Sequence, residues 1–513
     1  MFDALRARLQ HGPFSNGAFQ TRGKLSRWTR VLVFTVPFIL ALNYLVIFQR
    51  TFFENIPDKL FSAASFHPKP FPTLHTNGAV DYWTWTTHTQ FQEPQGGEKF
   101  NATQDACAGF PTQLLDRIQI ILKTGAADGA DRTNAQLSSV VKCIPNILIA
   151  SDLSHPYGPD LNATDVLASL PPSTYLNPED LEVYKTQKNA SSPDDLHANA
   201  AGWKLDKYKF LAEVEHAVQV NPHAEWFVFF ESDTYIFWDN LFRLLSNYDA
   251  HLPWYFGSPS PGRLIPGAED KKMWFAYGGT GFVLSGAAAH RLVDRTRNGI
   301  GIKGPSLTDE YKDDVKGDCC GDSVLGWALW DRAGVNVSGL WPMFAPHPLH
   351  GIPFSRLYWC EPVISLHKTH PEDFEGLWMW ENSRSRNGEA LLYRDLSQYL
   401  QLGELERRED WDNADWDGFH EEDVLHEANL SREACRVYCH GHGDCFQWTW
   451  HAHRCYMSRA IRLGQRKEPD GEHEEQERRY IAGWDVEKIR LWREGNRCEE
   501  GAHWVKPSIE RIF

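Results

Sequence analysis

Two carboxylates, Glu231 and Asp233, stand two residues apart directly after the apolar run Trp226 to Phe230 (WFVFF). Side chains alternate along a strand, so residues i and i+2 share a face. Such a pair suits a hard divalent cation, Mn²⁺ or Mg²⁺, which takes oxygen ligands and shares phosphate oxygens with a diphosphate. The competing role is humbler, since an acidic residue after a strand also caps the next turn. Two other strand ends carry polar groups, Lys123-Thr124-Gly125 and Ser151-Asp152. In open α/β sheets ligands bind at the carboxyl ends of strands, so these three ends are the places to look.

The elements that would position these groups alternate along the chain. Residues 117–123 (RIQIILK) and 146–150 (NILIA) read as buried strands, 131–141 as a helix and 208–220 as an amphipathic helix stopped by Pro222. The unbroken apolar character of 226–230 marks a strand buried on both faces, and a new helix is expected at Asp239. Residues 154–200 are rich in Pro, Ser and Asp and read as a long loop. Repeated strand–helix–strand units imply an α/β domain with a mostly parallel sheet.

With 513 residues the chain is long enough for two or three domains, and its net charge of −16 argues against nucleic acid as a partner. Residues 31–48 form an uncharged apolar stretch of about 27 Å as a helix, close to a thin bilayer core. Arg6, Arg8, Arg22, Lys24, Arg27 and Arg30 precede it against Asp3 alone. This predicts a single-pass type II signal anchor with the body of the chain lumenal. All ten cysteines and the sequons at Asn101, Asn162, Asn189, Asn336 and Asn429 lie beyond it, as expected of a glycosylated, oxidising compartment. The expected organisation is a cytoplasmic tail (1–30), the transmembrane anchor (31–48), a stem (49–112), a catalytic domain (113–385), a linker (386–425) and a cysteine-rich module (426–513). In that module disulfides are favoured over a metal site built with His440, His442, His451 and His453.

Six segments occur in the order found in glycosyltransferase family 31: KTG (123–125), ILIASD (147–152), FFESDTYIFWDNL (229–241), YGGTGFVLS (277–285), CCGDSVLGWAL (319–329) and VISLHKTHPEDF (363–374). Over about 118–380 the chain resembles that family, and among its members the core-1 β1,3-galactosyltransferases and Fringe-like enzymes of fungal type. The resemblance implies a GT-A, Rossmann-like fold, a UDP-sugar donor, Mn²⁺ and inversion at the anomeric carbon. It makes Asp233 a metal ligand and His367 the late histidine completing the site, with His370, His347 and His350 as rivals. Glu231 stands where the family has Asp, which leaves its ligand role open. Asp322 matches the family's acidic residue at a helix start and is the expected general base, with Asp318 as substitute. The sequence equally allows Asp322 as a helix N-cap ahead of Ser323, and Gly321 replaces the family's usual Glu.

By the same resemblance Lys123, Thr124, Gly125, Asp152 and Ser232 are expected at the nucleotide, and Tyr277, Gly278, Gly279 and Trp378 at the acceptor. Trp274, Trp341, Trp359 and Trp380 are further aromatic candidates for a sugar face, although for each one taken separately core packing is the favoured reading. Residues 430–463, with Cys435, Cys439, Cys445 and Cys455, resemble a PAN/Apple module. The expected function is an inverting, metal-dependent Golgi-membrane glycosyltransferase moving galactose from a UDP-sugar to a glycan or glycoprotein in β1,3 linkage. The alternative is a catalytically silent relative acting as a lumenal chaperone or carbohydrate-binding protein.

Overall fold

The computed structural model describes Phe91, Cys107 and residues 110–511, except 191–200, 296–302, 385–388, 415–417 and 473–476. All of these lie in the compact unit Phe71–Phe513. The strands that build the site are β1 (Ile118–Lys123), β2 (Leu148–Ser151), β3 (His155–Pro156), β4 (Asn162–Asp165), β5 (Trp226–Glu231), β6 (Tyr235–Ile236), β7 (Tyr255–Gly257), β8 (Pro259–Ile265), β9 (Ala268–Ala276), β10 (Phe282–Ser285), β11 (Ser338–Gly339), β12 (Phe344–Ala345) and β13 (Ser365–Leu366).

The main sheet has eight strands in the order β11-β7-β10-β5-β1-β2-β4-β3. β1 is its parallel centre: Lys123 lies opposite Ala150 of β2 on one side and Glu231 of β5 on the other. Three polar strand ends therefore meet at one edge, as the apolar runs predict. β10, however, is antiparallel to both β5 and β7. It is entered from the antiparallel ribbon β8–β9 through a tight turn, where a crossover helix would have kept it parallel. Its four residues are all buried, and a run buried on both faces carries no periodicity that would reveal direction. The expected GT-A, Rossmann-like fold with a mostly parallel sheet and an N-terminal spanning helix is thus corrected to a mixed α/β domain with a disulfide-rich C-terminal region.

The membrane-anchored reading is corrected with it. The longest helix described, Asp206–Val220, has 15 residues, and at ~1.5 Å per residue it falls short of a ~30 Å bilayer core. Among the described residues no helix is long and apolar enough to cross a membrane. The stretch 31–48 lies outside the described residues, as do the tail and most of the expected stem. The type II topology, the membrane partner and the Golgi placement are not carried further.

Residues 154–200 also depart from expectation, holding β3, β4 and the helices Pro172–Tyr175 and Pro178–Lys188. Pro178 opens the second helix, at the position where a missing N–H costs nothing, instead of breaking it. The stretch expected as a linker, 386–425, contains the helix Tyr393–Tyr399 and the strand Arg407–Glu409, which pairs with Ile481–Trp484. C-terminal to it, the helix Arg432–Gly441 carries Cys435 and Cys439, bonded to Cys455 and Cys445.

This region is fused to the α/β core: Ile461, Trp484, Ile489 and Trp504 share one apolar cluster with Ile120, Phe230 and Leu366. Cys360–Cys498 locks the union across 138 residues, a closure worth on the order of 5 kcal/mol in the chain-entropy model.

Candidate active site

The site starts at the ends of β1 and β5. Lys123, buried, extends its ammonium to Glu231 Oε1 at 2.9 Å and to both oxygens of Asp206 at 2.8 Å, over the ring of Phe210. Burial alone would lower this lysine, but the carboxylates of Asp206, Glu231 and Glu213 outweigh it and hold the ammonium charged. Two residues after Glu231 the chain turns, and Asp233 is fixed through its carbonyl, which accepts the N–H of Thr369 at 2.8 Å. The same sheet contact, β6 antiparallel to β13, delivers His367.

Ligand atoms of Glu231, Asp233 and His367 all lie within 4.8 Å of one another. His367 Nε2 is 3.7 Å from Asp233 Oδ1, and that oxygen is buried with no hydrogen-bond partner. Burial pushes both carboxyls upward, against the opposing pull of Lys123 on Glu231 and of Arg132 on Asp233. Burial also pushes His367 down to about 4, leaving a neutral imidazole at physiological pH. Two carboxylates and one neutral imidazole, with an acceptor oxygen left unpaired, fit Mn²⁺ or Mg²⁺ in charge and donor type. Of the rival histidines, His347 is paired with Tyr358 Oη at 3.1 Å, while His370 and His350 face each other at 5.1 Å.

Asp322 lies in the first turn of the helix Gly321–Ala328, whose N-cap is Cys320. Its Oδ2 accepts the N–H of Gly278 and its Oδ1 that of Ser323, both at 2.8 Å. Burial raises its carboxyl to about 6, tempered by those two donors. Asp322 is therefore not the N-cap, though it does satisfy one free N–H of the helix start. Gly321 is explained by packing: a Cβ there would meet Lys207 O at 2.4 Å. The turn 277–281 threads between the two halves of the site. At Gly279 a Cβ would lie 2.3 Å from His367 Nε2, so this position is closed to any side chain. Tyr277 meets the His367 ring edge-on at 5.3 Å.

Glu231, His367, Tyr277, Gly279 and Asp322 open on one cavity of about 500 Å³. The other expected residues sit differently. Thr124 Oγ1 pairs with Thr133 Oγ1 at 3.1 Å, and Gly125 N–H donates to Asp128 Oδ2 at 2.8 Å. Asp152 is buried between Lys209, Gln187 and the N–H of Ala126. Ser232 is buried, its N–H donating to Lys123 O at 2.9 Å. Of the five residues expected at the nucleotide, Lys123 is the one whose side chain pairs with the cluster, and Ser232 joins Glu231 to Asp233 along the backbone. Trp378 belongs to the apolar core and does not line the cavity, a correction to its expected acceptor role. Asp318, the substitute base, is engaged by Arg263.

Among the sequons, Asn162, Asn189 and Asn336 are exposed, and Asn101 lies outside the described residues. Asn429 is a correction: it is buried, its amide donating to Glu421 O and Asp423 O and accepting from Cys455 N–H, so it has no room for a glycan.

Trp203, Asp206, Phe210 and the Cys319–Cys320 pair also line the cavity, and sequence reasoning missed them as site residues. For the last, the adjacent cysteines were themselves a signal.

A family model described as Fringe-like matches residues 180–330, the segment holding Glu231, Asp233, Gly279 and Asp322. Over that segment the chain is similar to Fringe-like proteins. Over 77 residues it is 42% identical to a glycoprotein-N-acetylgalactosamine 3-beta-galactosyltransferase 1 of Xenopus laevis, covering 15% of this chain and 19% of that protein. It is 36% identical over 87 residues to the beta-1,3-N-acetylglucosaminyltransferase lunatic fringe of Danio rerio, 15% of this chain and 23% of the relative. With the Fringe glycosyltransferase of Drosophila melanogaster the identity is 32% over 118 residues, 21% and 27%. The chain thus spans about a fifth to a quarter of the length of these relatives. His367 lies beyond the matched Fringe-like segment and joins it through β13. The PAN/Apple-like reading of the C-terminal region gains no support from these comparisons.

Proposed function

We propose that the chain is an inverting glycosyltransferase that moves a sugar, galactose by similarity, from a UDP-sugar to a glycan or glycoprotein hydroxyl in β1,3 linkage. The observation carrying this reading is that Asp322 and the Glu231–His367 side of the three-ligand cluster open on one cavity. We assign the activity to residues 113–385, with 426–513 as a supporting region that completes the core.

Inverting displacement needs one base, which takes the proton of the acceptor hydroxyl as its oxygen bonds to the anomeric carbon and UDP leaves with the other electron pair. Asp322 serves: each carboxylate oxygen already accepts one backbone N–H and keeps a second lone pair for that hydroxyl. A carboxyl near 6 is ionised at neutral pH yet basic enough to hold a proton in transit. Asp233, His367 and Glu231 would hold Mn²⁺ or Mg²⁺, which when bound offsets the charge of the diphosphate. Lys123 keeps Glu231 paired and oriented from behind, and Gly279 lets the acceptor-side turn lie flat against His367.

The test is UDP release by the purified chain with Mn²⁺ across a panel of UDP-sugars and glycoside acceptors, with linkage analysis of the product. Asp322→Asn is expected to lower kcat by roughly 10²- to 10⁴-fold. If no UDP-sugar turns over with any acceptor, the catalytically silent, glycan-binding alternative takes its place.

A further inference from the structure

Cys319 and Cys320 are neighbours joined by a disulfide. A bond between adjacent residues links no two parts of the fold and closes almost no loop, so it adds little through chain entropy. The segment that carries it is already held from several sides. Lys207 Nζ donates to Lys316 O and Asp318 O, Asn177 Nδ2 donates to Lys316 O, and Arg263 pairs with Asp314 and Asp318. What the bond does change is surface chemistry. Two thiols become a rigid, polarisable patch without a hydrogen-bond donor, and with no thiolate to take a metal. Both residues are exposed, and both line the cavity that holds Asp322.

Trp203 lines the same cavity and is 69% exposed. An indole left in water at a cleft is an unused apolar face, the kind of surface that stacks on the C–H face of a pyranose. The remaining wall is mixed but weighted to acid: Glu179, Asp180 and Asp206 line it together with Lys204, while Lys207 is occupied by the carbonyls named above. This arrangement disfavours an anionic sugar.

We infer that this half of the cavity is the acceptor subsite, taking a neutral pyranoside whose apolar face rests on Trp203 and the Cys319–Cys320 disulfide. The inference rests on the transferase reading and names its substrate class. Asp322 follows the disulfide by two residues and lines the same cavity, so the base and the seated ring share one cleft.

The experiment uses the full chain with neutral p-nitrophenyl hexopyranosides and the matching p-nitrophenyl uronides as acceptors. Binding is read by saturation-transfer NMR and turnover by steady-state kinetics. Trp203→Ala is expected to raise the KM of the neutral acceptor roughly tenfold or more, with the donor KM moving far less, and to abolish transfer of saturation to the ring protons. Trp203→Phe restores most of both, and the paired change Cys319→Ser with Cys320→Ser shifts the acceptor KM in the same direction as Trp203→Ala. The uronides bind more weakly than their neutral counterparts. An unchanged acceptor KM and unchanged ring contacts in Trp203→Ala overturn the inference while leaving the transferase standing, as does equal use of uronides. A wild-type chain without turnover sinks the transferase reading instead. In that case the NMR comparison of wild type with Trp203→Ala still decides whether the pyranoside seat exists.

Discussion

Two charged clusters stand side by side at the carboxyl end of the main sheet, and they differ in what is left over. Behind β1, Lys123 and Lys209 are buried, and both ammonium groups are engaged: Lys123 by Asp206 and Glu231, Lys209 by Asp152, Asp206 and the carbonyl of Thr124. In front, Glu231, Asp233 and His367 converge, yet Asp233 Oδ1 has no partner and its nearest cation, Arg132, is 3.6 Å from the other oxygen. In the first cluster both ammonium groups are fully engaged and tie the strands together, although Glu213 Oε2 beside them also lacks a hydrogen-bond partner. The second leaves an acceptor oxygen over, which suits a cation. Buried charge alone does not mark function; three convergent ligand atoms with an unmet acceptor among them are the stronger signal.

The contrast can be broken most severely at Lys209. Lys209→Ala leaves Asp152 buried without its cation and is expected to cost about 3–5 kcal/mol of stability, read by denaturant unfolding. Asp233→Ala should do the opposite. Transfer falls by several kcal/mol of transition-state stabilisation, on the order of a hundred- to a thousandfold in kcat/KM, while the unfolding midpoint stays near wild type. A destabilised Asp233→Ala chain would place that carboxylate in the structural cluster after all.

Asp322 sharpens the comparison through pH. Its carboxyl is raised to about 6 by burial, with Glu231 raising it further and Gly278 N–H, Ser323 N–H and Lys123 opposing. A base must be ionised, so kcat/KM is expected to be flat above about 6 and to fall roughly tenfold per pH unit below it. Asp322→Asn, at its residual rate, should lose that inflection. The smallest effect expected is steric. Gly279→Ala puts a methyl against His367 Nε2, and either the turn or the imidazole must shift. Affinity for Mn²⁺, followed by electron paramagnetic resonance, should weaken roughly 10- to 100-fold, the range seen when a ligand's support is disturbed.

Much of this was legible in the chain. The strand ends at Lys123 and Glu231 declared themselves because an apolar run buried on both faces must stop where polar groups begin. Asp233, His367 and Asp322 were recognisable as residue types in ordered motifs. Their meeting was not, since it depends on β6 pairing with β13, two two-residue strands too short to show any periodicity. Asp206 escaped because, besides Lys209 three residues along its own helix, it pairs with Lys123, which only the fold brings to it. Among the tryptophans the sequence gives no basis for choice: Trp378 proved to be core, while Trp203 faces the cavity. The sequon at Asn429 has the right triplet, but its carboxamide is consumed by three backbone groups.

The edge strand β11 carries a last consequence. Ser508 N–H donates to Gly339 O at 2.8 Å, and His503 N–H reaches Cys360 O at the same distance. The edge strand of the main sheet thus waits for Ser508, made more than 160 positions later, to pair on its open side. During synthesis the sheet stays vulnerable to mispairing until those residues emerge, whatever the state of the catalytic groups. A stop codon or frameshift shortly before residue 503 should therefore lower the yield of folded chain, which Asp233→Ala should not.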